Sequence, residues 1–303
     1  MTIDPPSWLH VHPEVAAALA SGRPVVALES TVITHGLPEP VNLELARRME
    51  GEVRSAGAVP ATVAVIDGRV CLGVTTDELE RLALSRALMK VSRRDLGTAM
   101  AQRATGGTTV AATMIAAHAG GVQVFATGGI GGVHRGTSGD ISADLPELAR
   151  TPVVVVCAGA KAILDLPRTL EWLETAGIPV LGWETDEFPA FFTRSSGLPV
   201  SAKVKNAVEA VALIRAQWGM GLRSGVLVCV PCPEEVAVPA EKVETVLRTA
   251  LQQAESEGVR GKQVTPYLLA RLADLSAGGT LRANLALLRN NARVAAEIAR
   301  TFA

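Results

Sequence analysis

The chain has 303 residues, 48% of them hydrophobic, so it is long enough to bury a sizeable core and too apolar for intrinsic disorder. A formal charge of −1 and 3% aromatic residues provide neither the basic surface nor the stacking platforms of a nucleic-acid binder, which points to a small-molecule ligand and no nucleic acid. No run approaches the roughly 18 apolar residues that span a bilayer, and MTIDPPSWLHVHPEV lacks the basic and apolar regions of a signal peptide, so a cytoplasmic protein without a membrane partner is expected.

In chain order, strands alternate with helices. Residues 1–22 read as an N-terminal extension with a short helix, and 25–28 as a strand. Helical spacing over 41–56 stops at Gly57, and 62–66 returns to strand. Asp67-Gly68 is a hairpin turn into 69–72, which makes the sheet mixed. Helix is predicted over 76–87, strand over 88–91, an Ala-rich buried helix over 108–119 and strand over 122–126. Strand 153–158 leads into helical turns that Pro167 restarts up to residue 176; then follow strand 179–182, helix 204–218 and strand 226–230. Helices over 240–257, 265–273 and 281–300 close the chain. This alternation predicts an α/β fold, a three-layer α/β/α sandwich around a mixed, largely parallel sheet. No linker, low-complexity tract or internal repeat interrupts it, so a single domain over 1–303 is expected.

In open α/β sheets the ligand lies beyond the carboxyl ends of the strands, and polar residues collect at four such ends. The first exit, ESTVITHGLPEPVN, brings Glu29, Ser30, Thr31, His35 and Asn42. In KVSRRDL, alternation points Lys90 opposite to Val91, where it suits a phosphate, while Arg93, Arg94 and Asp95 are expected to pair among themselves. TGGIGGVHRGTSGDISAD is not a dinucleotide fingerprint, because His134 stands where a third glycine is required. Its glycine pairs and Arg135 still suit an anion, although a plain surface loop fits the same residues. Asp144, with Glu147 three residues on, has the spacing of a helix cap. Asp140 has no such duty and suits a hard divalent cation that keeps most of its water, a weak signal from one carboxylate.

VVVVCAGAK raises a sharper question, because a lysine follows a strand buried on both faces. An ammonium is costly to desolvate, so either Lys161 escapes to water or its site uses that cost to make the amine reactive. Two other features read as packing. Cys229 and Cys232 form a CxxC with no companion ligands, and the helix after Gly106-Gly107 offers its N-terminus to an anion no more surely than to a neighbouring element.

The strings ESTVITHGLPEPVN, SRRDL, GGTTVAATM, FATGGIGGVHRG, DISADL, VCAGAK and PAFFTRSSG, in this order, resemble the pseudouridine-5′-phosphate glycosidase family, also called indigoidine synthase A-like. The resemblance runs from about Val25 to LRANLALLRNNA at 281–292. It implies a homotrimer with a Mn2+-dependent site, and reversible cleavage of the C–C glycosidic bond of pseudouridine 5′-phosphate to uracil and ribose 5-phosphate. By resemblance Lys161 is the nucleophile, Glu29 the proton donor and Asp140 the metal ligand. Ser142, Ala143 and Asp144 fall on the substrate-binding segment, as do Lys90 and Val110; His134 and Asn284 fall on further site residues. One departure stands out: the family usually reads NPIPEE where this chain has VPCPEE, so Val230 replaces an asparagine.

The implied chemistry suits these residue types. A carbon-linked uracil has no ring nitrogen on the sugar and cannot leave by acid catalysis alone. The expected route opens the ribose with help from Glu29, adds at C1′ a Lys161 kept neutral by burial beyond the valine strand and by neighbouring cations, and releases uracil from a sugar imine. A Schiff-base aldolase on another sugar phosphate, or a sugar-phosphate sensor without catalysis, would use some of the same residues.

Overall fold

The structure, a computed structural model, describes residues 5–136, 139–259 and 264–303. The first four residues of the expected extension, and Thr137 and Ser138 of the glycine-rich loop, lie outside the described residues. The chain runs through β1 (Leu9–Val11), α1 (Pro13–Ala20), β2 (Val25–Leu28), α2 (Val41–Ser55), β3 (Val59–Ile66), β4 (Arg69–Leu72), α3 (Thr76–Leu84), β5 (Met89–Val91), α4 (Leu96–Ala101), β6 (Gly106–Thr108), α5 (Val110–Ala119) and β7 (Val124–Ala126). It continues with β8 (Val133–His134), α6 (Asp144–Leu148), β9 (Val154–Cys157), β10 (Leu164–Asp165), α7 (Leu166–Thr175), β11 (Val180–Trp183), β12 (Ala202–Val204), α8 (Ala207–Gly219), β13 (Val226–Cys229), α9 (Ala240–Ser256), α10 (Val264–Leu275) and α11 (Gly279–Phe302).

The main sheet has the order β1-β4-β3-β2-β7-β9-β13-β11-β12, with β6 on β3 and β5 on β6. Its pairs are parallel except β3–β4 and β3–β6, so the sheet is mixed, as the Asp67-Gly68 hairpin predicts. Helices cover both sides. The central strands show why: β2, β7, β9 and β13 are buried along their whole length, the pattern of strands packed on two faces. Helix α5 is correspondingly Ala-rich and buried almost all round, whereas α11 lays one apolar stripe across β2, β7 and β9 between α2 and α8.

Most elements lie where the periodicity places them, and the differences have local causes. Thr108, the expected first residue of a helix, instead ends strand β6, in which Gly106 and Gly107 pair with Met89 and Lys90 of β5, and α5 begins after Thr109, whose side chain accepts from the Ala112 N–H. A Cβ on Gly107 would lie 2.3 Å from the Thr34 hydroxyl, so the close approach requires glycine. Strand β12 ends on Val204, the expected first residue of α8, which starts only after the Asn206 cap. The extension carries not only a helix but also β1, parallel to β4 at the sheet edge.

The segment after β9 decides the site. Helical turns were expected there, but the backbone stays extended beside the exit of β7: Ala158 donates to Gly128 O at 2.8 Å, Ile130 to Gly159 O at 3.1 Å and Lys161 to Ile130 O at 3.1 Å. Gly159 bends this ladder at φ +80°, and a Cβ there would stand 2.2 Å from Pro189 O. Gly159→Ala is therefore expected to cost about 1–3 kcal/mol, the usual range for a forced left-handed residue. A urea midpoint equal to that of the parent protein would refute this.

Candidate active site

From β2 the chain turns to β3 on one side, and from β7 it proceeds to β9 on the other, so the sheet's switch point falls between two neighbouring strands. A cavity of about 640 Å³ opens there. The exits of β2, β5, β7 and β9, the start of α5, and parts of α10 and α11 line it. All ten residues that the resemblance assigns to the site border this cavity: Glu29, Lys90, Val110, His134 and Asp140 on different exits and loops, with Ser142, Ala143, Asp144, Lys161 and Asn284 completing it.

Glu29 follows β2 directly and is only 6% exposed. Its carboxylate accepts a hydrogen bond from the hydroxyl of Thr127, the first residue after β7. Burial pushes the Glu29 carboxyl above its ordinary range; the Lys161 charge, the Thr127 hydroxyl and the Lys90 charge oppose this, and Asp144 reinforces it. The next residue has a structural task. Ser30 donates to Val63 O at 2.5 Å and accepts from the Thr108 N–H at 2.9 Å, filling the gap where β2 stops and β6 takes its place against β3.

Lys161 differs from the sequence expectation in one respect. The valines of β9 are fully buried, but Lys161 itself is half-buried and faces the cavity. Its side chain forms no hydrogen bond or salt bridge among the described residues, while its charge acts on Glu29. The dry group of the pair is thus the carboxyl: Ala160 and Ala162 on either side remain buried, and Lys161 alone is half-exposed and borders the cavity.

Asp144 does not cap its own helix, as its spacing from Glu147 suggests. Its carboxylate instead accepts from the Ala111 N–H at 3.0 Å and the Gly131 N–H at 2.8 Å, tying the glycine loop to the start of α5. The anion expected at that helix end is therefore supplied by the chain itself. Ser142 accepts from the Asp144 N–H at 3.3 Å, Ala143 is exposed, and the buried Val110 sits at the first position of α5. Asn284, on α11, closes the far side.

Asp140 is exposed at the rim, 3.9 Å from His134 Nε2. Among the described residues no three His, Cys, Asp or Glu side chains cluster as a ready-made metal cage. This donor set fits a hard cation that takes one carboxylate and keeps most of its water shell.

Other expectations need correction. Arg135 turns away from the cavity to Glu244, at 3.1 Å, and to Leu164 O, so it is not the phosphate fork. Arg93 reaches beyond its own run to the buried Glu147 at 2.7 Å, and Arg94 lies 3.8 Å from Asp95. Val230 is buried and lines a separate pocket near Trp183, so its replacement of asparagine does not alter the cavity wall. The cysteines are free and buried, and burial raises the Cys232 thiol to about 11, in keeping with a packing role. Thr127 and Phe191 went unnoticed in sequence. Phe191 holds φ +62° against Gly129; the strings TGGIGG and PAFFTRSSG were the available signals.

The electrostatics of Glu29 give a stability test. Its folded-state value lies above the unfolded 4.5, so ionisation costs nothing below that pH and progressively destabilises the fold as pH rises through the folded-state value. Relative to the parent, Glu29→Gln should gain in Tm over that rise. A Tm difference constant with pH would mean that the carboxyl titrates normally.

Residues 14–301 match the family described as indigoidine synthase A like protein. The chain is 54% identical to a pseudouridine-5′-phosphate glycosidase of Solibacter usitatus, covering 96% of this chain and 98% of that one. It is 56% identical to one of Chloroflexus aurantiacus, with coverages of 96% and 97%. Among solved structures, the prealnumycin C-glycosynthase in complex with ribulose 5-phosphate superposes with a TM-score of 0.90 at 42% identity, over 98% of this chain and 97% of that one. An indigoidine synthase A-like protein of Thermotoga maritima gives 0.89 at 37% identity, with coverages of 97% and 96%. With an acid and an amine from separate strand exits in one cavity, and relatives of this identity along its whole length, the chain is an enzyme and belongs to the indigoidine synthase A-like family.

Proposed function

We propose that this enzyme cleaves and forms the C–C glycosidic bond of pseudouridine 5′-phosphate, exchanging it for uracil and ribose 5-phosphate through an imine on Lys161. The observation that carries the reading is the pairing of a dry carboxyl with an amine open to the cavity at the sheet's switch point. The names of the relatives support the substrate, and the sugar phosphate bound by the C-glycosynthase supports the cavity's chemistry.

Glu29, whose burial favours its protonated form, donates to the ring oxygen as the C1′–O4′ bond opens. Lys161 adds to C1′ as the neutral amine. With the amine neutral, Glu29 no longer feels the Lys161 cation and holds its own proton more firmly. A proton delivered to C5 of uracil lets the C1′–C5 bond break, the electron pair staying on uracil and the lone pair of nitrogen forming the imine. Water hydrolyses the imine and returns the amine with ribose 5-phosphate. Lys90 and the Ser142–Asp144 segment border the cavity where a sugar phosphate would be held. Asp140, with His134 beside it, would hold a divalent cation, Mn2+ by family resemblance, which would supply positive charge for the substrate's phosphate.

Incubation with pseudouridine 5′-phosphate and Mn2+ should release free uracil, and borohydride should trap a sugar-phosphate adduct on the peptide containing Lys161. Lys161→Ala should lose at least about 10³-fold in turnover, as expected when a covalent nucleophile is removed. Release of uracil with labelling at another lysine would overturn the assignment. Asp140→Ala should remove the stimulation by Mn2+ while the circular dichroism spectrum stays native; unchanged stimulation would discharge Asp140 from the role.

A further inference from the structure

We infer that Asn291, on α11, is a positioning residue for Glu29 and acts through Thr127. It does not border the cavity and is entirely buried. Its carboxamide N–H groups reach Thr127 O at 2.8 Å and Gly128 O at 3.4 Å. The opposite orientation is excluded by chemistry, because it would set the amide oxygen against two carbonyl oxygens. Asn291 Oδ1 is left buried without a hydrogen-bond partner among the described residues. A residue serving only to fill the core would gain by having no such atom. The arrangement is explained if the donor end is what the fold requires.

What that donor end secures is the placement of one hydroxyl. Gly128 O already accepts from the Ala158 N–H, and Thr127 N–H already donates to Val156 O at 3.0 Å. Thr127 is therefore fixed at its nitrogen by β9, at its carbonyl by Asn291 and at its hydroxyl by Glu29. Removing Asn291 frees the carbonyl and lets the peptide rotate, which weakens the hydroxyl's hold on the carboxylate. The groups that act on Glu29 besides Thr127 come from three other elements: Lys161 after β9, Asp144 on α6 and Lys90 on β5. None of them touches Asn291 by hydrogen bond, so the amide's influence is separable from theirs. Asn284 lies two helical turns earlier on α11, on the same face, so one helix would give the site both a wall residue and a brace.

The inference rests on the proposed role of Glu29, and its test needs no substrate. The protein is labelled with 13C at the glutamate side-chain carboxyls, and the Glu29 signal is assigned by its loss in Glu29→Gln and followed against pH. Thr127→Val removes a hydrogen bond that favours the charged form and should move the midpoint upward; Thr127→Ser should restore it. Asn291→Ala should move it in the same direction, and Asn291→Ala combined with Thr127→Val should move it no further than Thr127→Val alone. In turnover, Asn291→Ala should lower kcat about 10-fold with little change in KM, a fraction of what a whole acid–base group contributes. If Asn291→Ala does not fold, Asn291→Ser is titrated in its place, with the same outcomes. A lowered Tm with the Glu29 midpoint unmoved, or additive shifts in the double variant, would overturn the inference. Failure to release uracil would instead sink the proposed reaction while the titration stood.

Discussion

The site is organised by a carboxyl that is almost wholly withdrawn from water at the wall of the cavity. Glu29 lies between the two central strands where the chain diverges, and the hydroxyl that contacts it belongs to the neighbouring strand's first exit residue. Burial alone disfavours its charged form, and only nearby cations and donors moderate that penalty. Each of those groups arrives on a different element: Lys161 after β9, Lys90 on β5 and Thr127 after β7. The mixed sheet is what makes this convergence possible: β2, β7 and β9 are parallel and end at one edge, whereas β5, parallel to β6 and so antiparallel to β3, runs toward that edge from the opposite direction.

Two local devices keep the exits in register. Beyond their formal ends, β7 and β9 remain joined by alternating backbone hydrogen bonds over 128–130 and 158–161, so Lys161 is placed by the sheet rather than by a free loop. On the other side, Ser30 and Thr108 bridge to Val63 O and replace the ladder bonds that β2 relinquishes when it stops short of the end of β3. Asp144 adds a third tie by taking N–H groups from both the glycine loop and α5. These ties fix the backbone from which the lining side chains project, which holds their geometry.

Much of this was legible in the chain. The valine-rich strands, the Asp67-Gly68 hairpin and the helices at 41–56 and 240–257 carry strong periodicity, and the polar strand exits identify where chemistry gathers. What stayed hidden depends on partners distant in sequence. Gly106-Gly107-Thr108 has no strand pattern because glycine has no side chain to alternate; its strand state is imposed by β3 and β5. The spacing of Asp144 and Glu147 is that of a capping box, yet tertiary N–H donors outbid the local ones. Arg135 reads as an anion fork until Glu244, far along the chain, occupies it. Burial is expected at Lys161 and found at Glu29 for the same reason. The hydrophobic run before Lys161 is visible in sequence, while the closing of β7 and α11 around Glu29 is not.

The division between dry acid and accessible amine follows from what the proposed reaction asks of each. A nucleophile must reach a carbon atom of a bound sugar, so it has to border the space the sugar fills; a lysine sealed behind β9 would have no access. A proton donor faces the reverse requirement, because near neutral pH an ordinary carboxyl has already lost its proton and only a desolvated one retains it. Exchanging the two environments would yield an acid with nothing to give and an amine with nothing to attack. The half-buried Lys161 borders the cavity, the burial of Glu29 favours its protonated form, and the Lys161 charge opposes that preference, so the carboxyl's proton depends on the state of the amine.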